Sequence, residues 1–289
     1  MLLRDAMAHS KNTVSAKLID ALGADAVIDF ANRAGIQSEL PRSLSLALGT
    51  GEVTPLELVN AYATLAAGGY PAPPILITRV RDRDGIVLEE TLPLRPPPLR
   101  DSAVPGPPPD ASVGADSPAE VAATTPEPAV GRLEGRIRPE AAFVTVAMMK
   151  DVVQFGTGQG AKALDRPVAA KTGTAQEHRD AWFVGMTPDL VAGVWVGFDG
   201  HEPLGPHATG AGAALPGWLG FMQAAVGMRP PTDFVAPPTV EMARIDPRTG
   251  MLASGPTEGV LLPFLPGTAP RRTAPDPSAA PQNFFQDDR

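Results

Sequence analysis

The sequence predicts an α+β fold, an antiparallel β-sheet flanked by helices. Three observations carry this expectation. Helix-spaced apolar residues with recognisable end signals fill residues 10–67. Three strand-like segments then crowd into residues 168–198, and Thr187-Pro188-Asp189 joins the last two as antiparallel neighbours. A further apolar helix pattern, Leu215 to Val226, closes that run.

In chain order, residues 10–35 read as two helices. Ser10 or Asn12 is a candidate cap for the first, Val14, Leu18, Ile19 and Leu22 keep helical spacing, and Gly23 ends it. Asp25 starts the second and Gly35 closes it. Thr54-Pro55-Leu56-Glu57 predicts a capped helix start, with Thr54 at the N-cap, Pro55 at N1 and Glu57 completing a capping box. That helix stops at Gly68-Gly69. Ile75 to Val80 and Ile86 to Leu88 flank Asp84-Gly85 and predict a hairpin. Residues 93–132 hold two Pro-Pro-Pro runs among Ala, Ser and Asp, a composition expected to stay disordered as an insertion. Order is expected to return with a helix from Pro139 to near Gly156, followed by a flexible loop through Gly156, Gly158 and Gly160. The strands are expected over Val168 to Thr172, Ala181 to Met186 and Leu190 to Phe198, with Trp182 and Trp195 in the sheet core. Residues 229–268 read as a small, separate β-rich piece, and 269–289 as a disordered tail.

Composition narrows the function classes. The chain has 289 residues and a net charge of −8, which weighs against a nucleic-acid partner. It contains no cysteine, so disulfides and thiolate metal sites are excluded. The histidines at 9, 178, 201 and 207 show no ligand spacing, and no metal or organic cofactor is expected. The first residues lack the pattern of a signal peptide, and no apolar stretch reaches the length of a membrane span.

The sharpest chemical feature is Lys171-Thr172-Gly173-Thr174 at the end of a strand. A lysine cation with two neighbouring hydroxyls suits a ligand ending in a carboxylate, and charge-assisted bonds of this kind are worth about 1.5–3 kcal/mol each. Gly173 has no side chain, so another backbone can approach. On the triplet alone, a plain surface strand explains these residues as well. Likewise, Ser10 and Asn12 read by themselves as helix caps.

Context adds more. The triplet is followed by Asp180-Ala181-Trp182-Phe183-Val184-Gly185 and then by Leu190-Val191-Ala192-Gly193-Val194-Trp195-Val196-Gly197-Phe198-Asp199. Leu46 to Leu58, Ala61 to Ala66, Val152-Val153 before Gly156-Thr157-Gly158, and Phe264 to Thr268 fall in matching order. These segments resemble the C-terminal part of the transpeptidase domain of class A (bifunctional) penicillin-binding proteins, over residues 1–268 apart from the Pro-rich insertion. The resemblance implies the serine transpeptidase and β-lactamase fold, incomplete at its N-terminal side. Residues 1–92 would be its helical part and 133–228 its sheet part. It also implies crosslinking of peptidoglycan stem peptides by acyl transfer from acyl-D-Ala-D-Ala, with β-lactams as covalent traps.

By this resemblance Ser10-Lys11-Asn12 matches the family's Ser-x-Asn motif. Ser10 would relay a proton to the leaving group and Asn12 would hold the substrate amide. Lys171, Thr172, Gly173 and Thr174 would hold the substrate, with the Thr174 N–H forming half of an oxyanion hole. The family's Ser-x-x-Lys motif has no counterpart. The residues three before the five lysines are Ala8, Val14, Ala147, Gln159 and Val168, so no nucleophile is identified. The chain is therefore expected to be a fragment. An upstream half of the same protein, with a glycosyltransferase region and an anchor at the periplasmic face of the inner membrane, is expected beside it. Two other readings stay open: a non-catalytic binding or scaffold module, and a class B or β-lactamase relative.

Overall fold

The computed structural model describes residues 1–71, 73–92, 137–200, 202–206, 208–255 and 257–275. The expected insertion over 93–132 lies outside the described residues, as does the tail from 276 onward.

The centre is a three-stranded antiparallel sheet in the order β3-β4-β5, built from β3 (Ala169–Thr174), β4 (Asp180–Met186) and β5 (Val191–Gly197). The register pairs Lys171 with Val184, Gly173 with Trp182, and Trp182 with Trp195. Side chains alternate between the two faces. One face carries Ala170, Phe183 and Ala192 and packs on α6 (Leu215–Val226) through Leu215, Trp218 and Met222. The Trp218 indole N–H donates to the carbonyls of both Gly185 and Ala192, at 3.2 and 3.1 Å. A side chain at Gly185 would sit 2.6 Å from that ring, so glycine is required there.

The other face carries Ala169, Met186 and Val191. It packs on α5 (Pro139–Gln154), through Val146 and Met149, and on α4 (Pro55–Ala66), through Tyr62 and Leu65. Ala142, Val146, Met149 and Val153, four of the five buried positions of α5, recur every three to four residues, and Val152 widens that stripe toward the end of the helix. The capping box at α4 forms as expected: the Glu57 N–H donates to the Thr54 hydroxyl, and the Glu57 carboxylate accepts from the Thr54 N–H. The same carboxylate accepts from the backbone N–H groups of Gln37 and Ser38 and from the Ser38 hydroxyl.

The N-terminal helices are α1 (Leu3–Ala8), α2 (Asn12–Leu22) and α3 (Ala24–Ala34). The short α1 is not anticipated by the sequence, because its support is tertiary. Arg4 makes a two-pronged ion pair with Asp151 of α5, at 2.8 and 2.5 Å, and stacks over Phe155. Neither Ser10 nor Asn12 caps α2: its N-cap is Lys11, with no side-chain capping bond. Ser10 instead terminates α1. Its N–H donates to the Met7 carbonyl while that of Lys11 donates to the Ala6 carbonyl, and Ser10 takes a left-handed φ of 52°. This is the helix-ending motif in which glycine usually holds the left-handed position.

Five further expectations change. The segment after α5 is not a flexible loop: Gln159–Leu164 form a 3-10 helix that buries Ala161 and Leu164. Trp195 is not core but 39% exposed, its indole N–H donating to the Asp180 carboxylate at 2.8 Å; the buried tryptophan is Trp218. The first hairpin pairs only β1 (Arg79–Arg81) with β2 (Val87–Glu90), leaving Leu76 and Ile77 outside the strands and exposed, since neither joins a buried cluster among the described residues. The C-terminal hairpin of β6 (Glu241–Ile245) and β7 (Val260–Phe264) is not separate. Lys150 of α5 pairs with Asp233, and Glu140 accepts from the Thr239 hydroxyl. Residues 269–275, expected to be unstructured, pack here too: the Ala274 N–H donates to the Leu252 carbonyl, and Ala274 is buried.

Two predictions follow from the helix ends. The bonds into Glu57, led by that from the Ser38 hydroxyl, hold its carboxyl down at about 2. A depressed carboxyl contributes stability above its unfolded pKa and loses it as pH falls through the folded one. The stability advantage of wild type over Glu57→Gln should therefore be full above about pH 4.5 and fade between there and about pH 2, read by urea denaturation across pH. At the α1 terminus, Ser10→Gly and Ser10→Ala both lose the hydroxyl, but only alanine keeps the left-handed strain. The glycine variant should be the more stable of the two by about 1 kcal/mol. Equal melting would show that the left-handed turn is not populated.

Candidate active site

The β3 strand lies at one edge of the sheet, and its last residues are Lys171-Thr172-Gly173-Thr174. Lys171 leaves the strand on the α5 face. Its ammonium donates to the Ser10 hydroxyl at 2.7 Å and to the Thr172 carbonyl at 2.9 Å. Residues 161 positions apart in sequence are thus in direct contact. The Lys171 side chain is half-buried, and burial pulls its pKa down to about 8 from 10.5. Removal from water disfavours the charged form, and among the described residues no carboxylate pairs with Lys171 to offset this.

Ser10 reaches Lys171 because of how α1 is held. The backbone at Gly156 presses against the end of α1 so closely that a side chain there would lie 2.1 Å from the Ala8 carbonyl oxygen. The next N–H, that of Thr157, donates to the same oxygen at 3.0 Å. Gly156 is therefore a contact point rather than a hinge. The Ser10 hydroxyl is exposed and, freed from capping, serves only Lys171 among the described residues.

Thr172 and Thr174 leave β3 on the opposite face. The Thr172 hydroxyl lies 2.6 Å from that of Thr157. The Thr174 hydroxyl accepts from the Gly210 N–H at 3.1 Å, which leaves its own proton to donate. Gly173 lies opposite Trp182, where a side chain would come within 3.0 Å of the Trp182 Cβ. The tightest backbone approach is at Gly210, whose added Cβ would stand 2.2 Å from the Trp182 carbonyl and 2.7 Å from that of Gly173. So the close backbone expected over Gly173 is there, but the glycine that permits it is mainly Gly210.

Of the residues singled out from the sequence, the fold brings Ser10, Lys171 and Thr172 into one cluster, with Thr174 at the exposed end of the same strand. Asn12 opens α2 two residues after Ser10, exposed, and none of the hydrogen bonds among the described residues joins it to Lys171. Sequence reasoning missed three participants: the Ala8 carbonyl, Gly156 and Gly210. A Gly-Thr-Gly run and a Gly-Ala-Gly run were visible signals, but not what each approaches. No group of acidic, histidine or cysteine residues able to hold a metal ion occurs among the described residues. An apolar cavity of about 750 Å³ between α4, α5 and residues 233–237 contains none of the residues in this cluster.

Comparison with known proteins identifies the family and the fold. Residues 1–198 match the penicillin binding protein transpeptidase domain. The chain is 36% identical over 312 aligned positions to penicillin-binding protein 1A of Pseudomonas aeruginosa, across 98% of this chain and 38% of that protein. The crystal structure of penicillin-binding protein 1A from Haemophilus influenzae superposes with a TM-score of 0.79 at 28% identity, covering 95% of this chain and 41% of that one. PonA1 of Mycobacterium tuberculosis in complex with penicillin V superposes with a TM-score of 0.59 at 27% identity, covering 81% and 58%. The chain thus spans about two-fifths of the first two of these proteins. With its mixed fold, its edge strand ending in Lys-Thr-Gly-Thr and its Ser10–Lys171 contact, the chain belongs to the penicillin-binding protein transpeptidase domain family, on its class A side.

Proposed function

We propose that this chain supplies the substrate-holding and proton-relay half of a serine-type D-Ala-D-Ala transpeptidase that crosslinks peptidoglycan stem peptides. The observation that carries the reading is the 2.7 Å contact between the Lys171 ammonium and the Ser10 hydroxyl at the open edge of β3. In this role the ammonium has two of its three N–H groups engaged, with Ser10 and the Thr172 carbonyl, and one left for the terminal carboxylate of the donor peptide. The Thr172 and Thr174 hydroxyls add neutral donors beside it. Asn12, a short step from Ser10 along the chain, would hold the substrate amide, and the Thr174 N–H would face the developing oxyanion.

Ser10 sits between the lysine and the leaving group. When the donor peptide bond breaks, Ser10 would give its proton to the departing D-Ala amine and take one from Lys171. A lysine near 8 yields a proton far more readily than one at 10.5. The same carboxylate-holding set would fit β-lactams, which carry a carboxylate beside the ring. As in the family, the working protein would act at the periplasmic face of the inner membrane. Among the described residues no helix is long and apolar enough to cross a membrane, so anchoring would fall to other parts of that protein.

A second reading, a substrate-binding module without turnover, would use the same Lys171, Thr172 and Thr174 set. The two readings part on release of D-Ala from diacetyl-Lys-D-Ala-D-Ala, followed by mass spectrometry. Both require binding.

Two outcomes are expected in a titration of that peptide against the chain. Lys171→Ala should weaken binding roughly ten- to hundredfold, since a charge-assisted bond of about 1.5–3 kcal/mol is lost. Unchanged affinity would remove Lys171 from the site. Affinity should also depend on pH with a definite sign. The carboxylate needs the protonated lysine, which predominates below about 8 and is lost above it. Binding should hold to about pH 8 and then fall about tenfold per unit, well before an ordinary lysine would titrate.

A further inference from the structure

We propose that Thr157 is a positioning residue for this site: its hydroxyl fixes that of Thr172 so that the Thr172 proton points at the carboxylate of the bound peptide. The inference rests on the proposed reading of Lys171 and Thr172 as the carboxylate-holding pair. It concerns a residue outside both sequence motifs, contributed by the segment between α5 and β3.

The geometry is closely constrained. The two hydroxyl oxygens are 2.6 Å apart, at the short end for an O–H···O bond. Thr157 is pinned from its own backbone, its N–H on the Ala8 carbonyl at 3.0 Å. It stands between two buried glycines with little freedom to shift. Gly156 abuts Ala8, and the Gly158 N–H donates to the Val152 carbonyl at 2.9 Å. The Gln159 side-chain amide donates to the Gly156 carbonyl at 3.2 Å, holding the same turn. Thr157 itself is exposed. Its hydroxyl could be served by water, yet it is turned onto Thr172.

Each hydroxyl has one proton, so only one of the pair donates to the other. When an anion arrives beside Thr172, the arrangement that satisfies all three groups is Thr157 donating to Thr172 and Thr172 donating to the anion. A hydroxyl that already accepts a hydrogen bond is a stronger donor, so the chain is cooperative. Lys171 cannot do this job for Thr172, because the two side chains leave β3 on opposite faces. Lys171 is steadied by Ser10 on one face and Thr172 by Thr157 on the other. Both supports trace to Ala8, which lies two residues before Ser10 and accepts from the Thr157 N–H.

The test compares Thr157→Val, which keeps the shape and removes the hydroxyl, with Thr157→Ser, which keeps the hydroxyl. Three-bond couplings to the Thr172 methyl report its χ1 rotamer in the free chain. Titrations with diacetyl-Lys-D-Ala-D-Ala and with the same peptide ending in an amide report the ligand side. The valine variant should average the Thr172 rotamer and weaken the carboxylate peptide about three- to tenfold. The amide peptide should be unaffected, and serine should restore both readouts. A single Thr172 rotamer with unchanged affinity in Thr157→Val overturns the inference and leaves the proposed function standing. A serine variant as weak as valine also overturns it, since the hydroxyl would then be irrelevant. Failure of the wild-type chain to bind either peptide overturns the reading of the site, and the role of Thr157 with it.

Discussion

The contact on which the site depends is between two backbones, where Gly156 meets the Ala8 carbonyl. There is no space for a Cβ at that point, and the adjoining Thr157 N–H converts the approach into a hydrogen bond. The Arg4–Asp151 ion pair holds the same two segments together one helix turn away. Burial pushes the Asp151 carboxyl above its usual range despite the pull of Arg4, so this pair acts as a clamp under desolvation rather than a surface decoration. A short helix such as α1 has almost no stability of its own. It exists because α5 presents a carboxylate, an aromatic ring and a bare glycine along one side. Ser10 is placed by that docking.

Local preference and site geometry disagree at Ser10. The turn that ends α1 calls for glycine, and a serine holds the left-handed position. The side chain whose Cβ strains the backbone carries the hydroxyl that meets Lys171. Lys171 has its own cost, a cation drawn partly out of water among neutral partners. Adjacent residues therefore each carry a penalty that their contact partly offsets. Local rules tend to break where function imposes a different requirement.

Much of the scaffold was legible because its signals are short-range. The Thr54–Glu57 box, the Thr187–Asp189 turn and the apolar stripe of α6 each name their structure within a few residues. The Lys-Thr-Gly-Thr stretch stood out for the same reason: its cation and hydroxyls lie side by side in the sequence. What escaped was long-range. The sequence of α1 contains nothing that announces Asp151. Trp195 and Trp218 look alike as residues, and only the packing tells that one caps Asp180 from outside while the other fills the space over Gly185. The glycines at 156–160 read as looseness because glycine permits it, but Gly156 and Gly158 are buried, and at Gly156 the Ala8 carbonyl leaves no room for a side chain.

The arrangement also explains why the edge strand can be both exposed and ordered. An unpaired strand end with small residues would ordinarily fray. Here three of the last four residues of β3 are tied from outside the sheet: Lys171 to Ser10, Thr172 to Thr157, and Thr174 to Gly210. The ties fall on both faces, that of Lys171 on one and those of Thr172 and Thr174 on the other. They come from the turn after α1, the turn after α5 and the segment before α6, so a peptide laid along β3 would meet donors already oriented. Preorganised donors of this kind lose little freedom when the ligand arrives, which is the condition for hydrogen bonds and a single cation to discriminate one carboxylate-ended peptide from its amide.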